Sequence, residues 1–375
     1  MVARRTLALG AAVLLVVVVA LVVVRADRMP EEVAVPTTVR SLAVAPMLDS
    51  ADTANRWLTL GVASEVGRAL RSVPGLRVVK EPSTARLTPR RLRELLNVGA
   101  VLQMRFHLDS TALRVGVTLI DEKDSTLLKT DYRLSSGNVI EAENRIATDV
   151  STVLRAELGG LRKVAVRVAG TRNESAHEQF LRAMHSESLG TADSYARASA
   201  ALENAVRIDS AYADAWAAWA AWYAAHGDRT KAIMYARRAI AIDRGRAEPH
   251  VVLGDVYWWR RKPRDAEHEY LMAIRRDPTF ARARYQYSLM LSELKRRDEA
   301  VRESRRAHEL DPLDPGIHAN YAHTLQLAGR DAEAKIQADE LRRISDILHP
   351  RPPAPRKATT HGKQSSRSRS RAQRR

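Results

Sequence analysis

Three observations predict an α/β (α+β) domain with a mixed sheet followed by an all-α superhelix, with one N-terminal transmembrane helix. Residues 7–24 form an uncharged apolar run of 18. Residues 37–158 switch between period-two and helical hydrophobic spacing in the order β-α-β-α-β-β-β-α. Residues 174–348 are helical throughout, and from residue 213 they repeat with a period of 34.

The apolar run LALGAAVLLVVVVALVVV is about long enough to cross a hydrocarbon core of ~30 Å as a helix. Arg4 and Arg5 precede it; Arg25, Asp27, Arg28, Glu31 and Glu32 follow. Counting the amino-terminal charge, the flanks favour the amino terminus inside and the rest of the chain across the membrane. Residues 1–28 therefore read as an anchor. A cleavable signal peptide is the rival reading, served by a poor small-x-small site at Val24-Arg25-Ala26.

In the domain that follows, Val39–Ala45 reads as a strand and the spacing of Leu58, Val62, Val66, Ala69 and Leu70 as a helix that Pro74-Gly75 ends. Leu76–Lys80 is a second strand. Thr88 caps a short helix that starts at Pro89 and carries Leu92, Leu95 and Leu96. Three strands over 99–108, 111–121 and 125–134 have connections short enough for antiparallel hairpins. A helix over 138–158, with Ile140, Ile146, Val150, Val153 and Leu154 on one side, closes the domain.

The units 213–246, 247–280, 281–314 and 315–348 align without a gap. Their twentieth residues are Ala232, Ala266, Ala300 and Ala334; their twenty-seventh are Ala239, Ala273, Ala307 and Leu341. Small residues at positions eight, twenty and twenty-seven let two antiparallel helices approach closely, while bulkier residues at four, seven, eleven and twenty-four fill the space between units. Asp277-Pro278 and Asp311-Pro312 stop second helices. Residues 174–212 read as a degenerate first unit, with helices over 174–188 and 193–207 and a turn at Gly190. Five units exceed the three or so needed to bury a continuous core. Leu341, Ile344 and Ile347 form an amphipathic end able to cap the stack.

The second unit reads His250-x-x-Leu253-Gly254-x-x-Tyr257, then Ala266, Tyr270, Ala273 and Pro278, and the first offers Trp216-x-x-Trp219-Ala220-x-x-Tyr223. This resembles the tetratricopeptide repeat. The resemblance implies a concave surface to which the first helix of each unit contributes positions two, five, nine, twelve and thirteen. Here those positions collect Glu248, Val251, Asp255, Trp258 and Trp259 from the second unit, Arg282, Tyr285, Leu289 and Glu293 from the third, and His323 and Gln326 from the fourth. The first unit supplies Ala217, Ala221, Ala224 and Ala225. Aromatic rings beside a few charges suit the capture of a protein or peptide partner, because they bury area at low entropy cost.

A second resemblance rests on Ser41-Leu-Ala-Val-Ala-Pro46, Glu65–Leu70, Val73-Pro-Gly-Leu-Arg-Val-Val79, Gly99-Ala-Val-Leu and Val117-Thr-Leu-Ile-Asp121. These stretches look like the TolB amino-terminal-like domain, which in bacteria often precedes tetratricopeptide repeats in membrane-spanning kinases and adenylate cyclases. The sequence departs from it at Pro46-Met47 and at Leu127-Leu128-Lys129. With six residues ahead of the apolar run, what the resemblance implies is the adaptor architecture, in the cell envelope or in signalling, and not the catalytic role.

Composition narrows the chemistry. Without cysteine there is no disulfide, thiolate nucleophile or Cys-ligated metal. No phosphate-binding loop, dinucleotide fingerprint, HExxH or GxSxG occurs, so no enzyme, cofactor or metal is expected. His318 and His323, five apart on one helix, read as packed or solvated, as does His250. The formal charge of +17 is concentrated at the end: residues 349–375 carry nine Lys/Arg and no acid. That tail, with Arg367, Arg369, Arg371, Arg374 and Arg375, reads as disordered and able to hold nucleic acid or another anionic polymer by counterion release. The expected protein is thus a single-pass bacterial inner-membrane adaptor with its soluble part outside the cytoplasm.

Overall fold

The computed structural model describes residues 41–47, 55–73, 75–80, 87–108, 113–134, 138–158 and 170–348. The apolar run 7–24 and the basic tail 349–375 lie outside them. Among the described residues no helix is long and apolar enough to cross a membrane.

The amino-terminal unit runs β1 (Ser41–Met47), α1 (Arg56–Arg71), β2 (Arg77–Lys80), α2 (Pro89–Leu96), β3 (Ala100–Leu108), β4 (Leu113–Ile120), β5 (Thr126–Leu134) and α3 (Val139–Leu158). Its strands make one mixed sheet in the order β2-β1-β3-β4-β5. β1 is parallel to both β2 and β3, and each parallel connection passes through a helix, as it must. β3, β4 and β5 form an antiparallel meander, with a register shift near Ile120. β1 extends through Pro46, which lacks an N–H. This is tolerated because Ser41, which accepts from the Gly99 N–H, faces β3, so position 46 faces the β2 side, where pairing has already ended at Val44↔Lys80.

Alternation along the strands sends Leu42, Val44, Leu102, Met104, Val117 and Leu119 to one face, where α1 and α3 cover them. On the opposite face Ala43, Ala45, Val79 and Val101 pack against Leu92 and Leu96 of α2. Thr88 caps α2 as its position before Pro89 demands, its hydroxyl accepting from the Arg91 N–H.

Five helical hairpins follow: α4 (Glu174–Ser188) with α5 (Ala192–Ile208), α6 (Ala213–Ala225) with α7 (Arg229–Ile242), α8 (Glu248–Trp259) with α9 (Pro263–Arg276), α10 (Ala281–Glu293) with α11 (Arg297–Leu310), and α12 (Pro315–Leu327) with α13 (Asp331–Leu348). Ala232, Ala266, Ala300 and Ala334 are at most 1% exposed, as the close approach within each hairpin requires. The fifteenth residue of every 34-residue unit adopts positive φ: Gly227, Arg261, Lys295 and Gly329. Glycine serves that turn without strain; arginine and lysine occupy it at a conformational cost.

The stack does not stand apart from the sheet. Its contacts to the α/β unit come largely from α4, with additions from helix ends further along the stack. Arg68 of α1 pairs with Asp214 at the start of α6, Arg77 donates to the Glu309 carbonyl at the end of α11, and Leu313 shares a core with Ala43 and Val79. Ile344 joins that same core, so the end of α13 covers the sheet instead of merely capping the stack.

Candidate functional site

The first helices of three successive hairpins, α6, α8 and α10, line a cavity of about 590 Å³. Its floor is Ala221, Ala224 and Ala225, small because α6 is Ala-rich where its neighbours carry indoles and guanidiniums. Trp258 is half-buried against the core of the second and third units. Trp259 is 59% exposed, and the Arg229 guanidinium from α7 lies 3.4 Å from its ring centroid, a cation–π contact that orients the indole.

Asp255 is the fixed polar point of the cavity. Its Oδ1 accepts from the Tyr270 hydroxyl at 2.8 Å and from Gln286 Nε2 at 2.9 Å. Burial raises the Asp255 pKa, against the pull of Arg282 and the two donors. Tyr270 is itself raised, first by burial and then by the Asp255 charge beside it. Around this point stand Arg261 and Arg282 on one side of the charge balance and Glu293 on the other. The arrangement can accept an apolar group on the alanines and indoles and orient it with charges of both signs.

Of the groove residues expected from the sequence, Asp255, Trp258, Trp259, Arg282, Leu289 and Glu293 line this one cavity, together with Ala221, Ala224 and Ala225 of the first unit. Glu248, Tyr285, His323 and Gln326 do not. Tyr285 lies toward the next hairpin, its hydroxyl approaching Gly316 at the start of α12. His323 and Gln326 are exposed further along α12. Val251 and Ala217 are buried in the stack. Glu248 belongs to the junction with the α/β unit: burial raises its pKa, and Asp214, Arg68 and Arg246 act on it electrostatically. The physical reason is proximity to α1. Asp214 and Glu248, at the starts of α6 and α8, both meet the field of Arg68 from α1, whereas Arg282, in the same position of the next unit, lines the groove. Arg261 was not legible as a groove residue because it sits in a hairpin turn, nor were Tyr270, on a second helix, and Gln286, off the expected positions.

The junction is strongly polar. Arg68 lies between Glu65, at 2.5 Å, and Asp214, at 3.5 Å, and Asp214 also meets Arg246 at 2.8 Å. Burial opposes ionisation of Glu65, but Arg68 beside it prevails and holds the carboxyl below its usual range. Deeper in, His177 Nε2 lies 2.8 Å from Glu143 and Nδ1 lies 3.0 Å from the Tyr212 hydroxyl, with His177 and Glu143 both 0% exposed. Burial pushes Glu143 up to about 7. Burial also disfavours charge on His177, yet the Glu143 carboxyl outweighs it and raises the imidazole. His250 likewise bonds Glu269, and His318 bonds the Gln337 carbonyl. Among the described residues no group of three or more His, Asp or Glu could hold a metal ion.

No protein-family model matches the chain, and no curated protein matches it. Solved structures do. A thermophilic TPR protein of Thermus thermophilus is 20% identical with a TM-score of 0.40, over 46% of this chain and 98% of its own. PilW, described as a widely conserved type IV pilus biogenesis factor, is 21% identical with a TM-score of 0.40, over 47% of this chain and 80% of its own. YrrB, described as a TPR protein with an unusual peptide-binding site, is 20% identical with a TM-score of 0.31, over 45% of this chain and 89% of its own.

Proposed function

We propose that the chain is a membrane-tethered, non-enzymatic adaptor that holds a segment of a partner protein between α6, α8 and α10. The observation that carries this reading is the cavity of about 590 Å³, where an alanine floor, two indoles and oppositely charged side chains converge. The segment it suits presents an apolar side chain to Ala221 and Ala224, with a cationic residue toward Asp255 and Glu293 and a carboxylate toward Arg261 or Arg282. Residues 7–24 would supply the tether, with the repeats and the TolB-like unit on the outer side of a bacterial inner membrane.

The test is in-cell crosslinking and pull-down of the full chain beside a Trp258→Ala, Trp259→Ala, Arg282→Ala variant. Partners should vanish from the variant while its helical signal at 222 nm is unchanged. An identical partner set from both proteins would sink the reading. A second reading draws on the nine Lys/Arg and absent acids of residues 349–375, which suit a polyanion. Deleting that segment separates the two: salt-sensitive binding would be lost under the second and retained under the first.

A further inference from the structure

A second cavity, of about 150 Å³, lies where α1, β1 and β2 meet α4 of the first hairpin. Val44, Leu60, Val78, Leu181 and Met184 form its apolar walls. Two polar side chains line it and are left uncommitted. No described residue forms an ion pair or hydrogen bond with the Arg71 guanidinium at the end of α1. Burial lowers the Arg71 pKa, and Asp277, Arg68, Glu248 and Glu65 act on it only through space. His185 Nδ1 from α4 is buried and has no partner. A guanidinium does not deprotonate in a protein, so Arg71 keeps its charge and its donors beside an apolar space. Uncommitted polar groups of this kind are uncommon in folded proteins and call for an explanation.

The helix that builds the cavity carries a related oddity. Gly61 and Gly67 both sit inside α1, where glycine costs about 1 kcal/mol relative to alanine. Gly61 is explained by packing, since a Cβ there would meet Leu181 at 3.0 Å. Gly67 is not: a Cβ there would meet Val44 Cγ2 at 3.5 Å, an ordinary contact. Its missing methyl leaves space in the cavity.

We infer that this junction cavity binds a small monocarboxylate of about the size of benzoate, with its apolar body among Val44, Leu60 and Leu181 and its carboxylate on Arg71 and His185. The volume matches cavities of about 150 Å³ that take up benzene. A carboxylate offers the two parallel acceptors that a guanidinium fork engages. Arg68 reinforces the positive charge beside the cavity while Asp277, Glu248 and Glu65 offset it, so one negative charge suits the surroundings better than two. The ligand would touch both the α/β unit and the first hairpin.

The experiment is ligand-observed fluorine NMR of the full chain with 4-fluorobenzoate and 4-fluorobenzamide, repeated on Arg71→Met and Gly67→Ala. Wild type should bind the benzoate at least about tenfold tighter than the neutral amide. Arg71→Met should abolish that preference. Gly67→Ala, which adds a methyl without a clash, should weaken the benzoate while keeping the fold even if Arg71→Met does not fold. The inference is overturned if wild type does not bind the benzoate, if amide and acid bind alike, or if either folded variant binds as wild type does.

Discussion

Gly254→Ala is the sharpest probe of how the hairpins close. A Cβ at Gly254 would meet Tyr270 Cε1 at 2.6 Å and Cδ1 at 2.7 Å, well inside any real contact. Tyr270 cannot swing aside freely, because it is 2% exposed and its hydroxyl is bonded to Asp255 at 2.8 Å. Overpacking of this kind costs about 1–3 kcal/mol. Loosening the Tyr270–Asp255 bond adds about 1 kcal/mol, while alanine's better helix propensity returns about 1 kcal/mol. The net expectation is a loss of about 1–3 kcal/mol, visible as a fall in thermal midpoint of several degrees. Gly67→Ala is the matched control: the same change inside a helix, but at an ordinary 3.5 Å contact, and therefore stabilising by about 0.5–1 kcal/mol. Thermal unfolding followed at 222 nm should move in opposite directions for the two variants. If Gly254→Ala raises the midpoint as Gly67→Ala does, the close approach of α8 and α9 through a small eighth residue is wrong.

Three further outcomes are expected. Tyr270→Phe keeps the ring but removes one donor from Asp255, and should cost about 0.5–1.5 kcal/mol in urea unfolding with little change in slope. Lys295→Gly relieves a side chain held at φ 60° and should stabilise by about 1 kcal/mol; an unchanged or lowered midpoint would refute the strain. The Glu143–His177 pair sets a pH dependence. Both groups are raised in the folded state, so the pair retains a proton that the unfolded chain releases, and its contribution is present at low pH and lost as pH rises. With Glu143 raised from 4.5 to about 7, the loss falls between about pH 4.5 and 7. Glu143→Gln should flatten that slope in thermal scans, and an unaltered slope would show that the proton is held elsewhere.

Much of the architecture is readable from local pattern, because local pattern is what creates it. Ala232, Ala266, Ala300 and Ala334 mark where two helices touch, and no larger residue would fit those contacts. Likewise Thr88-Pro89 and the alternation through Leu102, Met104 and Phe106 fix a helix start and a buried strand face. What sequence cannot show is the docking of the two parts. That interface depends on Arg68, Asp214 and Arg246 meeting across about half of the chain, and no periodicity relates them. Once it forms, Glu248 is drawn to the junction and Ile344 to the sheet, although by position alone they belong to a groove and a cap. Arg261 is hidden for a different reason: a left-handed turn position reads as glycine's, so a charged residue there carries no groove signature.

The Arg68 junction and the partner groove lie at opposite ends of α6 and α8. Asp214 opens α6 and Glu248 opens α8, and both of these ends face Arg68 of the α/β unit. The other ends of those helices carry Ala224, Ala225, Trp258 and Trp259, which line the partner groove. A 12-residue helix such as α8 is a rod of about 18 Å. Arg71, which lines the junction cavity, is one turn beyond Arg68 on α1. The residue that would hold a carboxylate and the residue that anchors the stack thus share one helix end.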